Sequence, residues 1–532
     1  MIKLFDTTLR DGLQYPGANM SLSDKIKTFG EIDNLGVDFI EVGWPASPNF
    51  DQELFVECKK IRKNAKIVAF GSTSIDTDPK KDRNLESVLN SGADYACIFG
   101  KTWLVHVEKQ LHSTPEENLR KISESVGFLV KNGMEVIYDA EHYFDGFKEN
   151  EEYAIKTLES AAKAGAKYLV FCDTRGGTLT HEVVEIIKKT KFELEKRGIK
   201  TKLGTHFHDD SGLAVSNALY SAEYVDMIQG TINGMGERVG NLNLITFAAN
   251  WTYKMGGDTK LDFKGSKKVS EEVWRMAGLQ APGNLPFVGE NAFAHKGGVH
   301  IDAVKKGASY EHVNAEDFGN SRLLLLTSLG GRGSISEVAQ RHGYNHDKKN
   351  PEFIEKANKL FNRLKHLEEK GYRIEALAAE QFLLIEEFFG NLGKFFEFNE
   401  TEISTKFGGN DKESSKAQIN GRIENKNLKN SREIYGGPVH ALYQALSESL
   451  VSTYPMLKNL KIHDFHVDLA RYHGVQSTVR VPITFSDGEN FTVVGVSDNI
   501  IRASREAIEK GFRYYLQRKI AKKQYIKSEG EK

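Results

Sequence analysis

Eight short apolar runs, each ending abruptly in polar residues, constrain the fold of this chain more than any other feature of its sequence. Their length and composition are typical of buried strands, and segments with helical spacing separate them. In chain order the runs cover residues 2–5, 37–42, 66–70, 95–99, 135–138, 168–172, 202–207 and 227–230. Eight strand-helix units within roughly 260 residues predict a (β/α)8 TIM barrel, because a doubly wound open sheet normally uses fewer strands.

Helix start and stop signals between the runs favour the same fold. Thr114 and Glu117 have the spacing of a capping box, and proline follows Thr114 at the first helical position. Two further helical segments, over 151–164 and 181–197, each stop before a glycine. Glycine just past the last helical residue is typical of a helix C-terminus.

The rest of the chain predicts additional domains. After a barrel over 1–261, residues 262–407 have helical periodicity and predict a helical connecting region. Residues 408–432 are dense in Gly, Asn, Lys, Glu and Ser, which predicts a flexible linker. Residues 433–520 alternate helix and strand patterns, with strands expected over 465–469, 476–482 and 491–496, and predict a C-terminal α/β domain. A frayed polar tail is expected over 521–532.

Charge and cysteine content exclude several classes of partner and site. With 72 basic and 73 acidic residues the formal net charge is -1, so nucleic acid and acidic membrane surfaces are not expected partners. Cys58, Cys97 and Cys172 stand far apart, which argues against a disulfide framework or a thiolate zinc site. The sequence shows no leader pattern and no apolar run of about 18 residues. We therefore expect a soluble, cytoplasmic protein.

Two histidines and an aspartate at the predicted strand ends indicate a metal site. The active site of a (β/α)8 barrel forms at the carboxyl ends of its strands. His206 and His208 stand at i and i+2, so both imidazoles project to one side of a strand end while Phe207 projects to the other. With Asp11 they form a facial ligand set that leaves positions open for substrate. Asn241, just beyond the eighth strand, is a candidate carbonyl ligand or hydrogen-bonding partner.

The residue types leave the metal open among zinc, manganese, cobalt, magnesium and iron. Ordinary polar residues at a barrel mouth remain the alternative interpretation of the histidine pair. Arg10, next to Asp11, carries a permanent charge and a planar fork of donors, which suit it to stabilise an oxyanion beside a metal. A salt bridge at the rim is the alternative for Arg10.

Several separated motifs together resemble one known family. They are FDTTLRDGLQ over 5–14, HFH over 206–208, GTINGMGER over 230–238 and GN over 240–241. Their order and placement are similar to those of the DRE-TIM metallolyases, in the branch that condenses acetyl-CoA with an α-keto acid. Within that branch the long citramalate synthases of the isoleucine pathway are most similar, through VGWP at 42–45, AFGST at 69–73, YDAEH at 138–142, CDTRGGT at 172–178 and GVSDN at 495–499.

The resemblance implies roles for individual residues. It implies that Asp11, His206 and His208, with Asn241, hold a divalent metal (zinc, manganese, cobalt or magnesium). It further implies that Arg10 shares the charge on the keto oxygen, and that Thr174 and Gln14 help to bind substrate. The implied general base is His300, assisted by Glu141 and followed by Tyr310. Two positions depart from the family pattern, namely Asp209, where asparagine is common, and Arg175, where a neutral residue is usual.

The resemblance also implies partners and leaves alternatives. Acetyl-CoA and an α-keto acid, with pyruvate favoured, are the implied substrates. The C-terminal domain would bind an amino-acid effector, isoleucine for this group, in a homodimer or higher homo-oligomer. An inert dimerisation domain is the alternative. For activity the alternatives are 2-isopropylmalate or homocitrate synthase, an aldol-type lyase, and a catalytically silent metal-binding or ligand-sensing protein.

Overall fold

The computed structural model describes residues 1–48, 50–75, 78–295, 310–324, 326, 331–344, 349–375, 377–390, 392–408, 413–424, 426–471 and 477–530. The chain divides into two compact units. The first comprises Met1–Phe293 with Glu311–Ser321, and the second comprises Ala294–Tyr310 with Arg322–Lys532. Among the described residues, no helix has both the length and the apolar composition needed to cross a membrane.

Eight parallel strands close into a barrel in the first unit, so the predicted (β/α)8 fold is confirmed. Strands that are consecutive in the chain pair with each other, and the eighth pairs with the first. They are β1 Lys3–Asp6, β2 Phe39–Gly43, β3 Lys66–Ser72, β4 Tyr95–Lys101, β5 Glu135–Glu141, β6 Tyr168–Asp173, β7 Lys202–Phe207 and β8 Met227–Gly230. Each overlaps its predicted apolar run.

Helices cover the outside of the barrel. Thr114 caps one of them as predicted, since its hydroxyl accepts the Glu117 N–H at 3.2 Å and Pro115 occupies the first helical position. The helices are α1 Leu22–Leu35, α2 Glu53–Ile61, α3 Arg83–Asn90, α4 Leu104–Lys109, α5 Pro115–Lys131, α6 Tyr143–Glu149, α7 Glu151–Lys163, α8 Thr180–Lys196, α9 Ala214–Ser221, α10 Leu244–Met255 and α11 Ser266–Met276.

Apolar side chains fill the barrel interior below its carboxyl mouth. Phe5, Phe39, Ile137, Tyr168 and Met227 belong to this interior cluster and are buried. Full burial of such a side chain contributes about 1.5–3 kcal/mol. Because the interior is packed, polar groups at the strand ends are confined to the mouth, and this confinement positions the site.

Gly36 shows how a local backbone requirement directs the chain into the barrel. Gly36 ends α1 in the left-handed region, at φ 95°. A Cβ atom there would lie 2.5 Å from the backbone oxygen of Lys260. Only glycine combines this φ with such a close approach, and the turn leads directly into β2.

The second unit begins with short strands and three helices. The strands β9 Ala294–His295 and β10 Leu323–Leu324 pair in parallel. The helices are α12 Gly331–Arg341, α13 Pro351–Lys370 and α14 Ala378–Phe389. Helices α13 and α14 lie within 262–407, which was predicted to be a helical connecting region. Two parts of that region differ from the prediction, since α11 belongs to the first unit and Phe396–Phe407 form a strand.

Two antiparallel sheets and two helices complete the second unit. One sheet has the order β11-β12-β13, and in the other the central β16 pairs with β14, β15 and β17. Their bounds are β11 Phe396–Phe407, β12 Glu413–Ile423, β13 Lys426–Tyr435, β14 Lys461–Phe465, β15 Asp468–Arg471, β16 Thr478–Ser486 and β17 Asn490–Ser497. The helices are α15 Pro438–Val451 and α16 Ile500–Gly530.

The prediction of a flexible linker over 408–432 is wrong. The described residues of this segment form β12 and most of β13, and β12 pairs with both β11 and β13. One face of β12 is buried, through Ser415, Ala417, Ile419, Gly421 and Ile423. Three of these five side chains are small or absent. The apolar alternation is therefore weak, and the polar outward face dominates the composition.

The predicted tail over 521–532 also differs from the structure. Helix α16 continues past residue 520 to Gly530. The extension is rich in Lys, Gln, Ala and Glu, which are good helix formers. The polar composition after residue 520 was therefore not a sign that the helix ends there.

The buried face of β12 yields a test of the corrected topology. Ile419 is fully buried in the apolar core that the β11-β12-β13 sheet shares with α15 and α16. We expect Ile419→Ala to lower the free energy of unfolding of the second unit by about 2–5 kcal/mol, because it removes buried atoms and leaves a cavity. Urea unfolding followed by circular dichroism measures the change.

The matched control lies on the same strand but faces outward. Arg422 is exposed, so we expect Arg422→Ala to change the stability by no more than about 0.5 kcal/mol. Equal, near-zero effects of both substitutions would indicate that this segment is a linker after all.

Candidate active site

A cavity of about 220 Å³ lies at the carboxyl mouth of the barrel. Most of the predicted site residues line it, namely Arg10, Asp11, Gln14, Glu141, Thr174, His206 and His208. They come from the carboxyl ends of β1, β5, β6 and β7, which parallel pairing brings to the same end of the barrel. The cavity is the candidate active site.

Asp11, His206 and His208 converge within this cavity. The Nε2 atom of His206 lies 3.4 Å from Asp11 Oδ2 and 3.4 Å from His208 Nε2. One ligand atom from each residue lies within 4.8 Å of the other two, and all three residues are buried. Phe207 projects to the opposite side and is fully buried against Phe144. The two-residue period of a strand therefore produces the paired imidazoles.

The electrostatics of the cluster favour the metal-binding protonation states. Burial alone would raise the pKa of the Asp11 carboxyl, but the Arg10 guanidinium, together with the neighbouring imidazoles, outweighs burial and holds this pKa below its ordinary value. Burial, and then the adjacent His206 ring, lowers the pKa of His208 to about 3. Asp11 is therefore ionised and His208 neutral near pH 7. A metal requires these deprotonated forms.

Asn241 is held next to the cluster by a tight hairpin. Its backbone forms a bridge with His208, and the N–H of Leu242 donates to Phe207 at 2.9 Å. The hairpin requires Gly240, since its φ is 118° and a Cβ there would lie 2.1 Å from the Gly234 oxygen. Glycine alone tolerates this geometry.

The amide of Asn241 fits a ligand role. The residue is 2% exposed. Within the described part of the chain neither amide atom makes a hydrogen bond of ordinary geometry, although the amide lies close enough to Asp11 to help lower the pKa of that carboxyl. An unpaired buried polar atom costs about 1–3 kcal/mol, so such a pair of atoms is rarely retained without a ligand. Together with two imidazoles and a carboxylate, this oxygen completes a donor set that accommodates a divalent metal.

Arg10 is oriented from three sides. Its Nε donates to Glu41 Oε2 at 2.6 Å, and its Nη1 lies 3.4 Å from Asp11 Oδ2. The guanidinium carbon lies 3.8 Å from the ring centroid of Phe70. Only 14% of the Arg10 side chain is exposed. The arginine thus lies within the mouth, next to the candidate metal ligands.

The predicted substrate-binding residues occupy different depths. The Thr174 hydroxyl accepts the backbone N–H of His142 at 2.9 Å, which leaves its own O–H as a donor. Gln14 is exposed at the edge of the cavity. Glu141, which was predicted to assist the general base, pairs with Lys101, whose Nζ lies 2.5 Å from Glu141 Oε2. This ion pair fixes the Glu141 carboxylate at the end of β5.

The proposed base region is only partly described. His300 lies outside the described residues. Tyr310 belongs to the second unit, and its side chain is 55% exposed. The roles of both residues therefore stay predictions.

The two departures from the family pattern lie beside the cavity and do not line it. Asp209 Oδ1 accepts the N–H of Ala214, the first residue of α9, at 2.9 Å. Arg175 is exposed, pairs with Asp145 at 3.3 Å and lies over the Trp103 ring. Asp209 thus stabilises the start of a helix, and Arg175 belongs to a charged and aromatic cluster on the rim.

Sequence reasoning missed the groups that support the site from within the barrel. The carboxylate of Glu41 orients Arg10, while Asp139 and Gln229 form a hydrogen-bonded chain to His206. Trp44, Phe70 and Phe99 form an aromatic wall of the cavity, with centroids 5.5–6.0 Å apart. The sequence did contain one sign of these groups, because Gln229 is a polar residue within the otherwise apolar run that forms β8.

Family profiles match consecutive segments of the chain. The HMGL-like profile matches residues 1–273, just over half of the chain. The profile "Homocitrate synthase post-HMGL domain-like" matches 287–371, and the "LeuA allosteric (dimerisation) domain" profile matches 372–516. The last profile begins well before residue 433, where the sequence patterns placed the C-terminal domain, and it includes β11, β12 and β13.

Similarity to individual relatives extends over nearly the whole chain. An (R)-citramalate synthase of Aquifex aeolicus is 39% identical over 97% of this chain and 98% of the relative. The (R)-citramalate synthase of Sulfolobus acidocaldarius is 38% identical over 97% of each chain. That of Geobacter sulfurreducens is 39% identical over 97% of this chain and 98% of the relative.

The HMGL-like profile covers the segment that forms the barrel and its cavity, and the relatives match both units. These matches do not favour the isopropylmalate and homocitrate alternatives. The chain belongs to the HMGL-like family, within the group of the (R)-citramalate synthases.

Proposed function

We propose that this protein condenses acetyl-CoA with pyruvate and hydrolyses the resulting thioester, which yields citramalate and CoA. The observation that carries the proposal is the convergence of Asp11, His206 and His208 next to Arg10 in one cavity. This constellation lies in a chain that is similar to (R)-citramalate synthases over 97% of its length. The enzyme would thus be an acyltransferase.

Pyruvate suits the dimensions of the cavity. The cavity is about 220 Å³, and Trp44, Phe70 and Phe99 form an apolar wall on one side of it. We assign this wall to the methyl group of pyruvate, because an apolar surface gains from covering an apolar group. The polar side, which carries Arg10 and Thr174, would take the carboxylate and keto oxygens.

Asp11, His206, His208 and Asn241 would hold a divalent metal, for which we propose zinc, manganese, cobalt or magnesium. When bound, such a metal supplies Lewis-acid polarisation of a keto carbonyl. The orphaned amide of Asn241 and the ionisation states of Asp11 and His208 support this assignment.

Arg10 would stabilise the oxygen that becomes negative as the new carbon-carbon bond forms. Glu41 and Asp11 engage its Nε and Nη1, and a guanidinium has five N–H donors. Donors therefore remain for the keto oxygen. Because Glu41 and Phe70 hold the group in place, little reorganisation is needed when charge develops.

Thr174 and Gln14 would bind the substrate from the rim. The Thr174 oxygen already accepts one hydrogen bond from His142, so its hydroxyl proton is available to the pyruvate carboxylate. We propose that Gln14, exposed at the cavity edge, contacts the same substrate.

A histidine is the proposed base for the acetyl methyl group. His300 would remove this proton, since the unperturbed pKa of an imidazole lies near neutrality. Glu141 would assist from the end of β5, where Lys101 fixes it, and Tyr310 would act with His300.

Control by an end product is the second part of the proposal. The profile of an allosteric (dimerisation) domain over 372–516 supports it. We propose that this domain binds isoleucine and that the protein is a homodimer.

A panel of keto acids tests the proposed reaction. We expect kcat/KM for pyruvate to exceed the values for 2-oxobutyrate, 2-oxoisovalerate and 2-oxoglutarate by about tenfold or more, because each added methylene must fit the aromatic wall. Release of free thiol from acetyl-CoA measures the rate, and reactions without keto acid serve as the blank. Preference for 2-oxoisovalerate would instead indicate isopropylmalate synthesis, and preference for 2-oxoglutarate homocitrate synthesis.

Arg10→Lys tests the proposed oxyanion role. Lysine keeps the positive charge but loses the planar fork, so we expect kcat to fall about a hundredfold or more while metal content stays unchanged. Arg197→Lys is the matched control, since Arg197 pairs with Glu152 and Glu159 on the outer helices. Near-normal turnover of Arg10→Lys would contradict the oxyanion role and indicate that Arg10 only forms a structural salt bridge.

Titration of the full-length enzyme with amino acids tests the proposed control. We expect isoleucine, and not leucine, to inhibit turnover at millimolar concentration or below. An allosteric coupling of about 1–3 kcal/mol corresponds to a 5–150-fold change in affinity. Inhibition by leucine alone would contradict the assigned effector. If neither amino acid changes turnover, the domain has a role in dimerisation and not in control.

A further inference from the structure

A buried amide connects side chains of three strands inside the barrel. Gln229 lies in β8 and is fully buried. Its Nε2 donates to Oδ1 of Asp139 in β5 at 2.9 Å, and its Oε1 lies 3.0 Å from Nδ1 of His206 in β7. The three side chains form one chain of hydrogen bonds that ends on a candidate metal ligand.

The chemistry of each group sets the direction of this chain. The Nε2 of Gln229 faces Asp139, and an amide NH2 group can only donate, so Oδ1 of Asp139 accepts. The amide oxygen then faces His206 and can only accept, which requires the proton of the imidazole to be on Nδ1. The opposite nitrogen, Nε2, consequently carries the lone pair and lies next to Asp11 and His208.

The second imidazole has no such support. Within the described part of the chain, Nδ1 of His208 has no hydrogen-bond partner. His208 is positioned by its backbone bridge to Asn241. The tautomer and ring orientation of His206 are thus fixed by side-chain hydrogen bonds, whereas those of His208 are not. The metal affinity of the site should therefore depend on Gln229.

We propose that Gln229, oriented by Asp139, is a positioning residue that presents Nε2 of His206 to the metal. The inference rests on the proposed function, because it requires Asp11, His206 and His208 to be the metal ligands. It assigns a role to two buried polar residues whose hydrogen bonds lead to His206. Partners of this kind typically account for 10–100-fold in metal affinity.

Metal titration of the chelator-treated, full-length protein tests the proposal without relying on activity. Mn²⁺ binding is followed by the electron paramagnetic resonance signal of the free ion, and Zn²⁺ binding by competition with a chromophoric chelator. Methionine is close in shape to glutamine but cannot form these hydrogen bonds. We expect Gln229→Met to weaken binding of both ions about 10–100-fold.

Variants of Asp139 test the chain from its other end. The side-chain oxygen of asparagine can still accept from Gln229, so Asp139→Asn should bind Mn²⁺ within about threefold of the unmodified protein. Leucine cannot accept, so Asp139→Leu should weaken binding as Gln229→Met does. Equal affinities for the Asn and Leu variants would overturn the proposed direction of the chain.

Asn217→Leu controls for the general effect of removing a buried amide. Asn217 is 1% exposed and bonds to Thr178 and Thr180 between α8 and α9. This control should lower the melting temperature without changing Mn²⁺ affinity. If it weakens metal binding as much as Gln229→Met, the effect is one of stability, and the proposal is wrong.

Asp11→Ala and His206→Ala separate this inference from the proposed function. Both should abolish stoichiometric Mn²⁺ binding. If they retain the metal, the metal site and the proposed function fail together. If they lose it while Gln229→Met binds as the unmodified protein does, only the positioning role of Gln229 is overturned.

Discussion

Charged side chains buried at the mouth of the barrel must be paired or hydrogen-bonded, and the rest of the site depends on how the chain meets this requirement. Removing a carboxylate or guanidinium from water costs several kcal/mol even after relaxation. Arg10 forms ion pairs with both Glu41 and Asp11, and Lys101 forms an ion pair with Glu141. The side-chain amide of Gln229 donates a hydrogen bond to Asp139. These contacts hold the groups of the proposed reaction in one place before substrate arrives, which is the condition for electrostatic stabilisation of a transition state.

The same requirement explains why the site lies at this end of the barrel. Aromatic and branched side chains fill much of the interior below the mouth, and the polar side chains inside the barrel, Glu41, Asp139 and Gln229, are hydrogen-bonded to one another or to groups of the site. At the mouth, the hairpin through Gly240 brings Asn241 against His208. The aromatic wall of Trp44, Phe70 and Phe99 then limits the space that remains. Selectivity for a small keto acid would therefore follow from the same packing that orients Arg10 on Phe70.

The second unit shows where local patterns were insufficient. The segment over 408–432 has the composition of a linker, yet β12 pairs along its whole length with β11 and β13. Its inward face combines Ala417, Ile419 and Ile423 with serine and glycine, so the alternation that marks a strand is weak. The helices of the same unit have wide apolar faces. For this reason α13 and α14 were predictable, and the sheet that follows them was not.

For the barrel, the sequence by itself determined the eight strands, the polar residues at their ends and the cluster formed by Asp11, His206 and His208. Strand periodicity and residue type are local properties, and parallel closure brings the carboxyl ends of the strands together. The tertiary structure alone decided that Glu41 orients Arg10, across 31 residues, and that Gln229 joins Asp139 to His206, across 90 residues. Such partners depend on the register and closure of the barrel, because a side chain in one strand meets a distant strand only after every intervening strand has paired.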